Sequence, residues 1–586
     1  MRLGHASGRG DHGRARQTGG GQSAGGLAAG ARQAARTDLH VRAGEEGEVK
    51  QYDAVVVGGG HNALVTAARL ACEKWTVLVL ERRPVLGGAA STAEIFPGCA
   101  VNVAAQDAGL FPAGHGSGLA ADLGLATHGL EWIHPPALAT SLTGGGEAFT
   151  LWRDTERTRD EIARHSRTDA ARFPDWADHL RTMARVLRVA LDHPAPAPYD
   201  MTKRERLRLL RPLIQAGRLG KRTVVELLRV APLPARDLLD DWFASDALKG
   251  MLASTALAGS RHGPSAMGGA LRMLYHATGR EPHGFRSSAF VKGGIGALSE
   301  ALAAAARAHG AEVRTANEVE RILIEDGAAT GVALADGEEI AARCVISGAD
   351  PRRTFFRLVG APRLGPEFNR NVGNIQLRGT TAILHLLLDG LPPLPDAAER
   401  LAGHTLVAPT LDYLERAADD AKYGRASARP HLDMVIPTLH DPALAPAGHH
   451  LASIQIRYAP YHLRDGSWED DATRDALLAT ALHVLDDFLP GMRDRIVDQR
   501  LLTPLDLEAE LGLTGGDEYH GQMGLDQMLF MRPIAGWARY WTPVEGLFLC
   551  GSGCHPGGSV TGGPGRLAAG AILRERKPVA RLSGRS

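Results

Sequence analysis

Three groups of residues in this chain have types and spacings that could do chemistry. The first is Gly58-Gly59-Gly60-His61-Asn62-Ala63, which follows the apolar run Ala54-Val55-Val56-Val57 and precedes helix formers ending at Cys72. Gly58 permits a tight turn, Gly60 lets backbone approach a diphosphate, and small Ala63 allows close packing of helix on strand. A helix starting there turns its first N–H groups toward phosphate. The second is Glu81, which closes the run Thr76 to Leu80 and lies at the spacing where a carboxylate accepts from ribose hydroxyls and disfavours a 2′-phosphate. The third is Gly551-Ser552-Gly553, which follows Leu547-Phe548-Leu549 and leads through more glycines into a small-residue helix. It is a second anion-facing helix start.

Proton chemistry has fewer candidates. His520, in Tyr519-His520-Gly521, and His555, just after the Gly551 turn, could shuttle a proton or polarise a carbonyl. The competing reading for both is hydrogen bonding behind the site, and His61 is expected to pack over the first turn. No His, Cys, Asp and Glu cluster has metal-ligand spacing, so no metal is expected. Gly114-His115-Gly116-Ser117-Gly118 is not a nucleophile elbow, because no apolar strand precedes it.

These groups need a strand, a turn, a helix and a second strand in that order, which is a Rossmann-type unit beginning at Tyr52. A lone glycine turn is weak evidence; the two buried-type strands and the terminal acid supply the context. Arg82-Arg83 and Gly87-Gly88 come directly after Glu81. That second glycine pair would let another backbone segment approach the diphosphate or a flavin, which favours FAD over NAD.

Together with Gly293 to Leu298, Thr503 to Glu508, Gly515 to Gly521 and Gly546 to Val560, these residues resemble the phytoene desaturase-like FAD-dependent oxidoreductases, a group related to the amine oxidases. The resemblance runs from about Tyr52 to about Leu573. It implies that Gly58, Gly60, His61, Asn62 and Ala63 line the diphosphate, Glu81 the ribose, and Arg82, Gly87 and Gly88 the flavin side. It places backbone at Val319 near the adenine, and Gly551, Ser552 and Val560 along the ribityl chain and pyrimidine edge. The group usually carries a small residue where Cys554 stands, a glycine near Ser559 and an asparagine where Leu567 stands, and these departures bear on the electron acceptor and substrate. The activity implied is hydride removal from an apolar, isoprenoid- or carotenoid-like substrate. Two alternatives stand beside it: a flavin amine oxidase, which would need an aromatic cage, and a flavoprotein with an assembly role.

The fold expected is α/β: a discontinuous Rossmann-type FAD-binding domain (50–110, 286–360 and 540–578) with an inserted α+β substrate domain (111–285 and 361–539). Asp326-Gly327 and Asp336-Gly337 mark hairpins between strands of the second piece. Equal numbers of basic and acidic residues, 66 of each, argue against a chain-wide attraction to nucleic acid. Five cysteines suit a reducing compartment, so the cytoplasm is the expected location. Residues 1–49, rich in Gly and Arg, read as a disordered leader; as a transit peptide they would direct the chain to the mitochondrial matrix. No apolar run is long enough to span a bilayer. Residues 203–229 interleave basic and apolar side chains and suit peripheral contact with anionic lipid, interrupted by Pro212 and Gly217. The oligomeric state is not legible.

Overall fold

The computed structural model describes residues 51–113, 118–196, 212, 214–279, 281 and 283–576. The expectations for the leader, for residues 114–117, and for 203–211 and 213 of the basic stretch lie outside these residues.

Strands Ala54–Val57 and Val77–Leu80 are buried throughout and pair in parallel, with Val55 opposite Leu78. Covered on both faces, such strands need unbroken apolar sequence rather than alternation. Helix His61–Cys72 crosses between them, and ten of its twelve residues are buried. Helices Gly296–Ala308 and Gly563–Arg576 pack against it. Gly565 makes the second contact fit, since a Cβ there would meet the Asn62 carbonyl oxygen at 2.1 Å. The parallel sheet runs in the order Leu547–Leu549, Val345–Ser347, Ala54–Val57, Val77–Leu80, Glu312–Arg314. Its strands thus come from widely separated parts of the sequence.

Strands Val319–Glu325, Ala328–Leu334 and Glu339–Ala341 form an antiparallel sheet beside it. Asp326 and Gly327 turn the first hairpin with φ of 49° and 84°. Two successive left-handed residues match the strands' right-handed twist.

A seven-stranded sheet forms the second layer, in the order Ile496–Leu502, Thr381–Leu388, His450–Arg457, Leu432–Val435, His404–Val407, Ala137–Gly144, Glu147–Trp152. Only the His404 and Ala137 strands pair in parallel. Period-two alternation sorts its faces. Leu432, Met434, Ile454 and Ile456 pack with Leu477, Leu485 and Phe488 of helix Asp471–Phe488. His404, Asp433, Val435, Gln455 and Arg457 point the other way, into a cavity shared with the nucleotide layer. Helices Arg167–Leu191, Asp246–Leu257 and Gly269–His276 build a further apolar cluster around Trp176 and Tyr275. Among the described residues no helix is long and apolar enough to cross a membrane.

Candidate active site

The cavity holds about 1690 Å³ of empty space, its open mouth included. Gly58, Gly60, His61, Asn62 and Ala63 line it from the first turn. Glu81, Arg82, Gly87 and Gly88 follow from the second strand and the segment after it, Val319 from the antiparallel sheet, and Gly551, Ser552 and Val560 from the C-terminal turn. The structure therefore brings together every residue expected to hold the cofactor.

The glycines differ in what demands them. Gly58 has a φ of +94°, a conformation that side chains rarely adopt. A Cβ at Gly59 would collide with the Leu86 side chain at 2.7 Å and crowd Glu81 at 3.0 Å. Gly60 sits at φ −69° and ψ 157°, and a Cβ there would meet nothing within 4 Å. Nothing in the protein requires glycine at 60; the missing side chain leaves open a cradle on the cavity wall.

The Glu81 carboxylate is fixed by two backbone donors, Gly59 N–H at 2.7 Å and Arg83 N–H at 2.9 Å. Its remaining lone pairs are available to a sugar hydroxyl. Asn62 Nδ2 donates to Ser552 Oγ at 3.1 Å, so the two glycine turns touch. His61 Nε2, Asn62 Oδ1, Gln106 Oε1 and His520 Nδ1 are buried without a hydrogen-bond partner among the described residues. All four side chains belong to the cavity wall. Unpartnered polar atoms around an open cradle fit a polar, extended guest. A dinucleotide such as FAD is such a guest. Arg82 is partly committed elsewhere: its guanidinium donates to the carbonyls of Ala509 and Glu510, at the end of helix Pro504–Leu511.

The two catalytic histidine candidates separate. His520 lines the cavity, with φ +54°. Burial pushes its imidazole down, as it does for His61, which falls to about 4 with the His520 charge as a further cause. Both rings are therefore neutral near pH 7 and could donate or accept one proton. His555 does not line the cavity; its Nε2 lies 3.0 Å from the carbonyl oxygen of His193. The turn that carries Ser552 into the site directs His555 into the interior behind it, and burial lowers its pKa to about 4. His555 therefore stands behind the cavity wall, whereas His520 stands on it.

The model of the NAD(P)-binding Rossmann-like domain matches residues 56–108. The chain is 34% identical over 565 residues to pyridine nucleotide-disulfide oxidoreductase domain-containing protein 2 of Rattus norvegicus, covering 92% of this chain and 96% of the relative. The chain belongs to that family. It is 29% identical to one of the subunits of limonene dehydrogenase from Castellaniella defragrans, over 90% of this chain and 95% of the relative. Over about half its length (49%, and 54% of the relative) it is 29% identical to a neurosporene-forming phytoene desaturase of Cereibacter sphaeroides. A redesigned putrescine oxidase shares the fold at 15% identity, with a TM-score of 0.55 over 90% of this chain and 99% of that one. The protein is thus an FAD-dependent oxidoreductase of that family.

Several residues of this family member carry information that motif reading missed. His404 lies between two carboxylates, its Nε2 donating to Asp107 Oδ2 and its Nδ1 to Asp433 Oδ1, each at 2.7 Å. Arg286 donates to Asp433 Oδ2 at 2.8 Å and sits 3.6 Å from Asp107. Ionised carboxylates only accept, so both ring nitrogens must carry protons. Burial and the Arg286 charge push the imidazole down, but the two carboxylates outweigh them and its pKa is raised. Burial likewise pushes the two acids up, yet His404 and Arg286 hold both below 3.8, Asp433 well below. The sign follows. A raised histidine pKa stabilises the fold fully below the unfolded value, ~6.5, and is lost as pH rises through the folded value. The depressed acids stabilise above ~3.9 and fail as pH falls through their folded values. In thermal melts, His404→Gln is expected to lower Tm most near pH 5 to 6, with the deficit against wild type shrinking above pH 6.5. A deficit independent of pH would show that His404 is not held as a cation.

The departures from the family pattern also find places. Ser559 adopts φ +71°, a conformation that favours glycine. Cys554 is buried outside the cavity lining, and no cysteine among the described residues is in a disulfide. Burial pushes the Cys550 thiol up to about 12 and Cys554 higher still, so neither is a ready nucleophile.

Proposed function

We propose that the protein removes hydride from an apolar, isoprenoid-like substrate, in the manner of phytoene desaturase-like enzymes. FAD, when bound, supplies the hydride acceptor. The observation that carries the reading is one cavity bounded by the nucleotide turns on one side and by the second sheet on the other. Both reactants would meet in that one cavity, which favours their orientation. Leu110, Leu358, Val435, Leu511 and Leu513 give its wall apolar surface. His520, neutral and unpartnered at Nδ1, can accept or donate a proton beside the reacting group. The relatives named for limonene and phytoene chemistry support an apolar substrate.

The amine oxidase reading has the putrescine oxidase fold in its favour. It lacks a cage: Tyr519 is the single Phe, Tyr or Trp side chain on the wall among the described residues. Anaerobic bleaching of the flavin absorbance separates the readings. Terpenes, carotenoid precursors or long-chain lipids are expected to bleach the purified holoprotein; bleaching by amines alone would overturn the proposal.

Contact with anionic lipid is part of the same proposal. On helix Lys221–Val230, Val225 and Leu228 are exposed, with Lys221 and Arg222 on the same helix. Flotation with vesicles containing phosphatidylserine is expected at low ionic strength and to fade at high salt. Flotation unaffected by replacing Val225 and Leu228 with serine would count against this face.

A further inference from the structure

Two neutral polar side chains on the cavity wall have nothing among the described residues to bond to. Tyr519 and His276 both line the cavity, and each is 9% exposed. The hydrogen bonds of Tyr519 run through its backbone, from its N–H to Asp517 and from Arg532 to its carbonyl, and leave the hydroxyl unbonded. The His276 ring, at the end of helix Gly269–His276, packs edge-on against Tyr275 with no hydrogen bond of its own. Backbone grips the Tyr519 ring closely: a Cβ at Gly558 would meet its Cδ1 at 2.5 Å, and one at Gly259 would meet it at 3.0 Å. The hydroxyl is therefore held in one place rather than free to seek water. A buried hydroxyl and imidazole left unbonded are costly unless a guest completes them.

The charges around them are already matched. Arg286 and His404 face Asp107 and Asp433, and Arg457 pairs with Glu518 at 3.7 Å. This part of the wall therefore offers a charged guest no free counter-ion. Arg286, Asp107 and Arg457 all act electrostatically on both Tyr519 and His276, which puts the two side chains at the same end of the cavity. Burial drives the His276 imidazole down to about 3 and pushes the Tyr519 phenol up, so both are neutral near pH 7.

We propose that Tyr519 and His276 bind a neutral oxygen, a hydroxyl or a carbonyl, carried by the substrate. The substrate class is then an oxygenated isoprenoid: an apolar body with one uncharged oxygen function, rather than a pure hydrocarbon, an amine or an acid. This rests on the apolar-substrate reading of the same cavity and narrows it. A phenol and a neutral imidazole each hold one donor and an acceptor. A carbonyl can accept from both, and a hydroxyl can accept from one and donate to the other. A hydrocarbon would leave both groups unpaired, the condition under which a polar site rejects the analogue that lacks the polar atom. An ammonium or a carboxylate would be buried with every nearby counter-charge already taken.

The test is titration calorimetry on the purified FAD-loaded protein, near neutral pH, with menthol, menthone, menthane, menthylamine and menthane carboxylate, which share a skeleton and differ in one group. Menthol or menthone is expected to bind about tenfold or more tightly than either charged compound. Tyr519→Phe removes a single atom that no described residue bonds, so Tm and FAD content should not move. It should weaken menthol and menthone about fivefold or more while the affinity for menthane stays the same. His276→Gln, which keeps a neutral donor and acceptor, should retain more of that affinity than His276→Leu. Should a variant not fold, the ranking in the wild-type protein still decides. A charged compound binding as tightly as menthol would overturn the proposal, as would menthol affinity indifferent to Tyr519→Phe, or menthane weakened by it as much as menthol. If menthane binds and only the hydroxyl effect is missing, this inference falls and the apolar-substrate reading stands. Protein that binds none of the three neutral compounds would overturn both.

Discussion

Gly60→Val is expected to give a well-folded, colourless protein. The backbone at 60 is extended, φ −69° and ψ 157°, a region that β-branched residues occupy readily. A Cβ there touches no protein atom within 4 Å, so folding has little to lose. The valine instead fills the cradle into which a diphosphate would settle. Stability of the apoprotein should stay within about 0.5 kcal/mol of wild type, while FAD affinity falls roughly a hundredfold or more, about 2.8 kcal/mol. Thermal melts of apoprotein and flavin absorbance after reconstitution read the two quantities separately. Gly59→Val is the control, because it drives into Leu86 and Glu81 and should destabilise the fold as well. Normal FAD binding by folded Gly60→Val would remove the first turn from the cofactor site.

The second large effect is expected at Arg532. This side chain is 1% exposed and donates to five backbone carbonyls: Ser552, Tyr519, Gly521, Gln522 and Gln527. It clamps the segment that carries His520 to the turn that carries Ser552. Arg532→Met keeps much of the volume but strands those acceptors, and a loss of roughly 4–5 kcal/mol is expected. Arg532→Lys, with three donors on a compact ammonium, should recover only part. Chemical denaturation measures the loss, and released flavin should accompany it because the Ser552 turn is no longer held. Arg532→Met that unfolds like wild type and keeps its flavin would show the clamp to be dispensable.

Much of the nucleotide side was legible because close backbone approach leaves glycine few substitutes. The Gly58 turn, the strands at Ala54–Val57 and Val77–Leu80, and Glu81 at the end of the second were all readable from residue type and spacing. The Asp326-Gly327 hairpin was readable for the same reason. The placement of His555 was not legible, because sequence adjacency to a glycine turn does not fix the direction of the next side chain, which here lies off the cavity lining. The polar wall was written as alternation in Ser453-Ile454-Gln455-Ile456-Arg457 and in Leu432-Asp433-Met434-Val435. The polar positions of that alternation form the charged face of a buried sheet. Arg532 has no local signature, since its partners are backbone carbonyls brought to it by the fold.

The sheet order has a consequence for biosynthesis. Leu547–Leu549 supplies one edge of the parallel sheet, and helix Gly563–Arg576 closes over the first helix through Thr66 Oγ1 and the Gly565 carbonyl. A nascent chain not yet extended past Gly546 would have the first glycine turn but not the Ser552 turn it touches. Cofactor capture therefore waits for this late segment, and a stop before Leu547 would forfeit the flavin along with it.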